Sequence, residues 1–261
     1  MKKIILFLAI LSVGCANSQT NEESKSIPEI NQNDFSDLLT SDSLSNPAFG
    51  ENINYKKTEP FGIIGKDYQR FYIHFISVIQ NPNNKVEYFV YGKTMTKRNI
   101  CDFQGTLTIN ESFYSEKSVE PELSKYKRGT VKGEYSFFED HDQKGSGFFK
   151  GKFQIDFYKN EKGNIKYDCL MNGADGFTNN QFIGLWTSYK TNESKKCNWG
   201  DYRIPDCGDL DIGAAYFIPK RGNIDDGWEN YRFACGYNGT EDIQKITEAE
   251  KKENEKWWIV N

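Results

Sequence analysis

Four stretches in the middle of the chain alternate apolar and polar residues with period two, and each carries a glycine on its apolar face. Phe103, Gly105, Leu107 and Ile109 point one way, while Gln104, Thr106 and Thr108 point the other. Val131, Gly133, Tyr135 and Phe137 repeat the arrangement against Thr130, Lys132, Glu134 and Ser136. Phe149, Gly151, Phe153, Ile155 and Phe157 do so against Lys150, Lys152, Gln154 and Asp156. Phe182, Gly184 and Trp186 share the phase, although Ile183 and Leu185 are apolar too. Clean alternation describes antiparallel strands with one face in the core and one in water. A glycine on the inner face marks a tight bend or the close approach of a neighbouring ring. Repeated on successive strands, it is what a sheet coiling into a barrel uses. The expected fold is mainly β, an antiparallel β-barrel or strongly curved β-sandwich with a C-terminal helix.

The turns agree with this reading. Asn81-Pro82-Asn83-Asn84, Gly145-Ser146-Gly147 and Glu161-Lys162-Gly163-Asn164 separate strand-like runs. Phe71 to Ile79 is apolar on both faces apart from His74 and Ser77, and Val86 to Tyr91 pairs with it as a hairpin. A strand apolar on both faces needs cover on both. The C-terminal segment is the natural cover: Thr240 can cap a helix over about 240–256, with Ile243, Ile246 and Ala249 on one face. Trp257-Trp258-Ile259-Val260 then forms an apolar patch, read as buried rather than as an exposed tail. Phe182-Ile183-Gly184-Leu185-Trp186-Thr187 resembles the Gly-x-Trp strand of the calycin barrels, the lipocalins and avidins. The Gly-Thr-Leu, Gly-Lys-Phe and Gly-Glu-Tyr strands are similar to those of avidin type. The likeness covers roughly residues 100–190, and it implies barrel architecture only.

Residues 1–18 read as a secretion signal: Lys2 and Lys3, an apolar run from Ile4 to Val13, then small residues at Gly14 and Ala16. The run is well short of the about 20 apolar residues that span a bilayer. Ser12-Val13-Gly14-Cys15 resembles a bacterial lipobox, which implies a lipid on Cys15 and a membrane anchor. A second cut, after Ala16-Asn17-Ser18, leaves a soluble exported chain. Residues 19–50 are polar and read as a flexible tether, which leaves 51–261 as a single β-rich domain.

A formal net charge of −4 and a pI near 5.4 argue against a nucleic-acid partner. Export permits disulfides, with Cys197–Cys207 as the first candidate pair and Cys101–Cys169 as the second. No Cys-x-x-Cys occurs and both histidines are remote from the cysteines, which argues against zinc. His74 reads as a packed or wall-lining residue, and His141 as a solvated turn tip.

Residues 197–213 hold the segment that any functional reading must use. Trp199, Tyr202, Arg203 and four aspartates lie in a glycine-punctuated stretch without amphipathic period. Three readings stay open. Trp199, Tyr202 and Trp228 form a stacking platform with Asp201 and Arg203 as polar partners. Alternatively Asp206, Asp209 and Asp211 hold Ca²⁺, or a Cys197–Cys207 bridge makes the loop structural. No Gly-x-Ser-x-Gly, His-Glu-x-x-His or P-loop motif is present, so no catalytic residue is assigned. The expectation is an envelope protein, held on the membrane by its lipid, that binds a polar ligand such as a glycan or a protein partner. The rivals are a glycan hydrolase using the loop aspartates and a purely structural envelope protein.

Overall fold

A computed structural model of the chain describes residues 33–47, 54–115, 123–221, 226–237 and 242–259. The signal stretch, Cys15 and Thr240 lie outside the described residues. A short helix α1 (Asp37–Thr40) comes first, and β1 (Ser43–Ser45) pairs with β2 (Asn54–Lys56). The main sheet contains β3 (Phe61–Ile64), β4 (Gln69–Gln80), β5 (Glu87–Thr96), β6 (Asn99–Tyr114), β7 (Lys127–Glu139), β8 (Gly147–Lys159), β9 (Ile165–Tyr167), β10 (Asn179–Ser188) and β11 (Ser194–Asp201). All neighbours are antiparallel. β10 pairs with β8 on one side and β11 on the other, and β11 pairs with β3, so eight strands close into a barrel with β9 appended to the far end of β8.

The four alternating stretches are β6, β7, β8 and β10, with their glycines facing inward as the pattern requires. Each such glycine leaves room that a neighbouring ring or backbone fills. A Cβ on Gly105 would lie 2.0 Å from the Ser136 carbonyl oxygen, and one on Gly133 2.8 Å from the Phe153 ring. Gly151 sits directly across from Gly184, and the Tyr135 ring lies against both. The freed space holds Phe71, Phe75, Phe103, Phe137, Phe149, Phe153, Phe182 and Trp199, all buried. The barrel interior is therefore a packed aromatic core.

One end of the barrel is plugged. Phe35, Leu38 and Leu39, on and beside α1, are buried in the same core, and Asn180 donates to the Leu38 carbonyl at 3.0 Å. The folded body thus begins by Asn33, earlier than the boundary at 51 expected from composition. Four apolar residues, Phe35, Leu38, Leu39 and Leu44, draw an otherwise polar stretch onto the barrel.

Outside the wall, the chain after β11 folds back over β3. Ile63 packs there with Ile204, Cys207, Leu210, Phe217 and Trp228. Helices α2 (Glu229–Ala234) and α3 (Ile243–Glu253) complete this layer. Arg70 clamps it to β4: its guanidinium makes two bonds to Glu253, at 2.8 and 2.5 Å, and lies over the Tyr72 and Trp228 rings. Arg232 makes a second buried pair with Asp226. Asp242 caps α3 by accepting from the Lys245 N–H, so the helix starts later than expected and leaves Ile243 exposed. Ala249 is buried as its spacing predicts. The half-buried tryptophans cover β4, Trp258 stacking on His74 at 3.8 Å and Trp257 meeting Tyr72 edge-on, but Ile259 is exposed and Val260 lies outside the described residues. His74 therefore packs on the outer wall, where Glu59 also bonds it at 3.0 Å.

The expected disulfides do not form, and all five described cysteines are free thiols. Cys197 faces the barrel interior while Cys207 belongs to the layer outside β3, so the wall separates them. Cys101 lies on β6 beside the Lys144 carbonyl, whereas Cys169 bonds the Ser45 carbonyl at the plugged end.

Replacing Gly105 with alanine forces a methyl group into a backbone carbonyl. G105A is expected to lose about 3 kcal/mol or more in urea unfolding, while T106A, one residue away on the outer face, stays within about 1 kcal/mol.

Candidate binding site at the barrel mouth

The residues singled out between Cys197 and Trp228 do not converge. Trp199 is fully buried inside the barrel, stacked on Phe182 at 4.9 Å and edge-on to Tyr135 at 5.1 Å. Trp228 is equally buried but outside the wall, where its Nε1 donates to the Tyr68 carbonyl. Tyr202 adopts a left-handed backbone (φ 66°) and packs edge-on against Phe177. No stacking platform forms: Trp199 is sealed inside the barrel core, Tyr202 packs at the edge of that core, and Trp228 lies on the other side of the wall.

The polar members of the group are structural too. Asp201 is fully buried at the plugged end, where Tyr167 Oη and Asn180 Nδ2 donate to it at 2.9 and 2.8 Å and Lys57 Nζ lies 3.3 Å away. Burial pushes its pKa up, and the Lys57 charge pulls the other way. Arg203 bonds Asp211 at 2.5 Å and the carbonyls of Gly213 and Ala214, which holds the loop after β11 in shape. Asp206 pairs with Lys196, and Asp209 with Lys220. The three proposed calcium ligands thus each take a separate cation. Among the described residues no three metal-ligating side chains gather.

The open end of the barrel offers a different site. A recess of about 1460 Å³ lies there, floored by Phe71, Thr94, Cys101, Glu139, Phe149 and Trp186. Its rim is built from turns: Gly65 to Tyr68 between β3 and β4, Lys97-Arg98 between β5 and β6, Lys144-Gly145 between β7 and β8, and the start of β11. These turns bring six cations, Lys66, Lys97, Arg98, Lys144, Lys195 and Lys196, to one opening. Only Lys196 has an ion-pair partner among the described residues. Of the three acids at the recess, Asp226 is neutralised by Arg232, which leaves five free cations against Asp67 and Glu139.

The Lys97-Arg98 turn is conformationally unusual. Thr96 pairs with Asn99, so the hairpin has a two-residue loop, and both loop residues have positive φ, 49° and 65°. That geometry normally recruits Asn-Gly or Gly-Gly, since side chains crowd in the left-handed region. Two long cations occupy it here, and backbone strain of this kind gathers at functional sites.

Glu139 seals the floor. Its Oε1 accepts from Thr94 Oγ1 at 2.5 Å, and its Oε2 accepts from Gly147 N and Trp186 Nε1 at 2.8 and 2.9 Å. Burial raises its pKa despite these donors. Burial and the Glu139 charge push the thiol of Cys101 beside it up to about 12, which disfavours the thiolate. A second recess, of about 610 Å³, lies at the plugged end, but its lining balances Asp37 and Glu161 against Lys162 and Lys166. Of these two recesses, the mouth alone carries an uncompensated charge among the described residues.

Comparison with family models, with curated proteins and with solved structures finds no match for this chain.

A glutamine can replace Glu139 with its oxygen toward Gly147 and Trp186 and its amide toward Thr94 Oγ1. Because the folded carboxyl titrates above its unfolded value of 4.5, its stabilising contribution is full below that pH and is lost as pH rises through the folded value. E139Q should therefore gain stability relative to the unsubstituted chain between pH 4 and pH 7, read by urea unfolding at both. A difference that stays flat with pH would show that burial does not govern this carboxyl.

Proposed function

We propose that the chain is an exported envelope protein, anchored by a lipid on Cys15, whose barrel mouth binds an acidic glycan. The observation that carries the reading is the rim of unpaired cations over an aromatic floor. Trp186 is half-buried there, with its indole N–H tied to Glu139 and Lys195 Nζ 5.8 Å from its ring centroid. A held aromatic face with cations beside it suits a sugar ring that bears carboxylate or sulfate. With the interior filled, the ligand rests on the mouth instead of entering the barrel.

The anchor is compatible with this placement. Asn33, the first described residue, accepts from Gln80 Nε2 at the plugged end, opposite the mouth. A hydrolase acting through the loop aspartates has less behind it, because those carboxylates are committed to separate cations. A structural role in an envelope assembly draws on the exposed apolar side chains Ile79 and Phe89, which are cross-strand neighbours on the outer wall.

Charge reversal at the exposed turn tests the site without touching the core. K97E/R98E is expected to weaken binding of oligogalacturonate and of a sulfated oligosaccharide about tenfold or more in calorimetry, each lost contact being worth up to about 1 kcal/mol. Binding should also fall with added salt. Unchanged affinity in the variant, or no binding by the unsubstituted chain, would sink the assignment. For the anchor, C15S should abolish metabolic fatty-acid labelling and move the protein out of the membrane fraction. A mature N-terminus at Gln19 would leave an exported chain without the lipid.

A further inference from the structure

The outer lip beside the mouth carries a run of rings that the core does not use. Phe138 and Phe148 are cross-strand partners on the outer faces of β7 and β8, with centroids 6.2 Å apart. Tyr189, just past β10, lies 5.8 Å from Phe148, and His141, in the turn between β7 and β8, lies 4.9 Å from Tyr189. Successive planes differ by only 29–38°, so the rings follow the twist of the sheet. Phe138 is 43% exposed, although a barrel wall in water favours polar residues there.

The ladder joins the mouth directly. The turn that bears His141 also bears Lys144 on the rim, and the Tyr189 N–H donates to the Ser146 carbonyl at its base. Cations accompany the rings: Lys150 Nζ lies 5.6 Å from the Phe148 centroid, and exposed Lys190 follows Tyr189. Each ring-to-ring step is comparable to the length of one pyranose. Partly exposed apolar rings beside cations suit a sugar chain whose ring faces are apolar and whose substituents are acidic.

We infer that Tyr189, Phe148 and Phe138 form a second subsite that continues the mouth, so that the ligand is an acidic oligosaccharide lying over the lip with one end among the rim cations. The inference rests on the mouth reading above. It makes chain length a determinant of affinity, and it separates a residue set that reads length from one that reads charge.

The test is calorimetric titration of sulfated saccharides from disaccharide to hexasaccharide against the unsubstituted chain and F138S/Y189S. The expected result is an affinity gain of about tenfold with length in the unsubstituted chain, the worth of one or two ring contacts. In the variant that gain should vanish while disaccharide binding stays unchanged. Urea unfolding of the variant checks that its fold persists. A gain that survives in F138S/Y189S overturns the subsite, as does equal affinity at every length with the mouth reading left standing. Failure of even the disaccharide to bind would remove both readings. Tighter binding of a single-stranded oligonucleotide over the same rings would assign the lip to a different polymer and end the proposal.

Discussion

The structure depends on one complementarity: glycines on the inner face of the sheet, and aromatic rings lying where their side chains would be. An eight-stranded barrel has an interior just wide enough for side chains to fill. Nine or so large rings cannot share that space with a full complement of Cβ atoms. Gly92 faces Phe103, Gly129 faces Phe157, and Gly151 with Gly184 receives Tyr135. These contacts let the strands coil tightly enough for β11 to reach β3, and they fill the core below the mouth with packed rings. The same packing leaves the Tyr135 hydroxyl and the Trp199 indole nitrogen without a protein partner inside the wall. Such a cost is tolerable only because the surrounding ring contacts are many.

The second layer solves a different problem. β3 and β4 carry apolar residues on both faces, and a closed barrel covers only one. The loop after β11 covers Ile63, and the two tryptophans beyond α3 cover Tyr72 and His74. Arg70 holds this layer with a bidentate pair to Glu253 between two aromatic faces. Removing either partner would strand a buried charge, which is far more damaging than the pair is stabilising. The clamp is a determinant of arrangement more than of net stability.

Much of the barrel was legible because period two and the inward glycines both report local geometry. The plug was hidden, since four apolar residues are diluted by polar neighbours when a stretch is judged by average composition. Trp199 was misread for a related reason. Cys197, Trp199 and Asp201 alternate as a strand should, but Gly200 and the flanking cysteines give the segment the look of a loop. The cysteines misled because spacing along the chain says nothing about which side of a wall a thiol faces. The mouth was invisible for a deeper reason. Lys66, Lys97, Arg98, Lys144 and Lys195 are ordinary surface residues in sequence, and only the meeting of four turns at one rim makes them a group. One local signal was present: Lys97-Arg98 interrupts two strand-like runs without any of the usual turn residues.

The barrel seam has a consequence for how such a chain comes into being. It joins Ile64 to Cys197, pairing the first barrel strand with the last. Every strand between them has to be available before that seam can zip, and the Glu253 clamp waits later still. Closing so long a loop is slow compared with pairing adjacent hairpins. The hairpins between them can pair early, but the barrel becomes a closed, rigid body only when its final strand arrives.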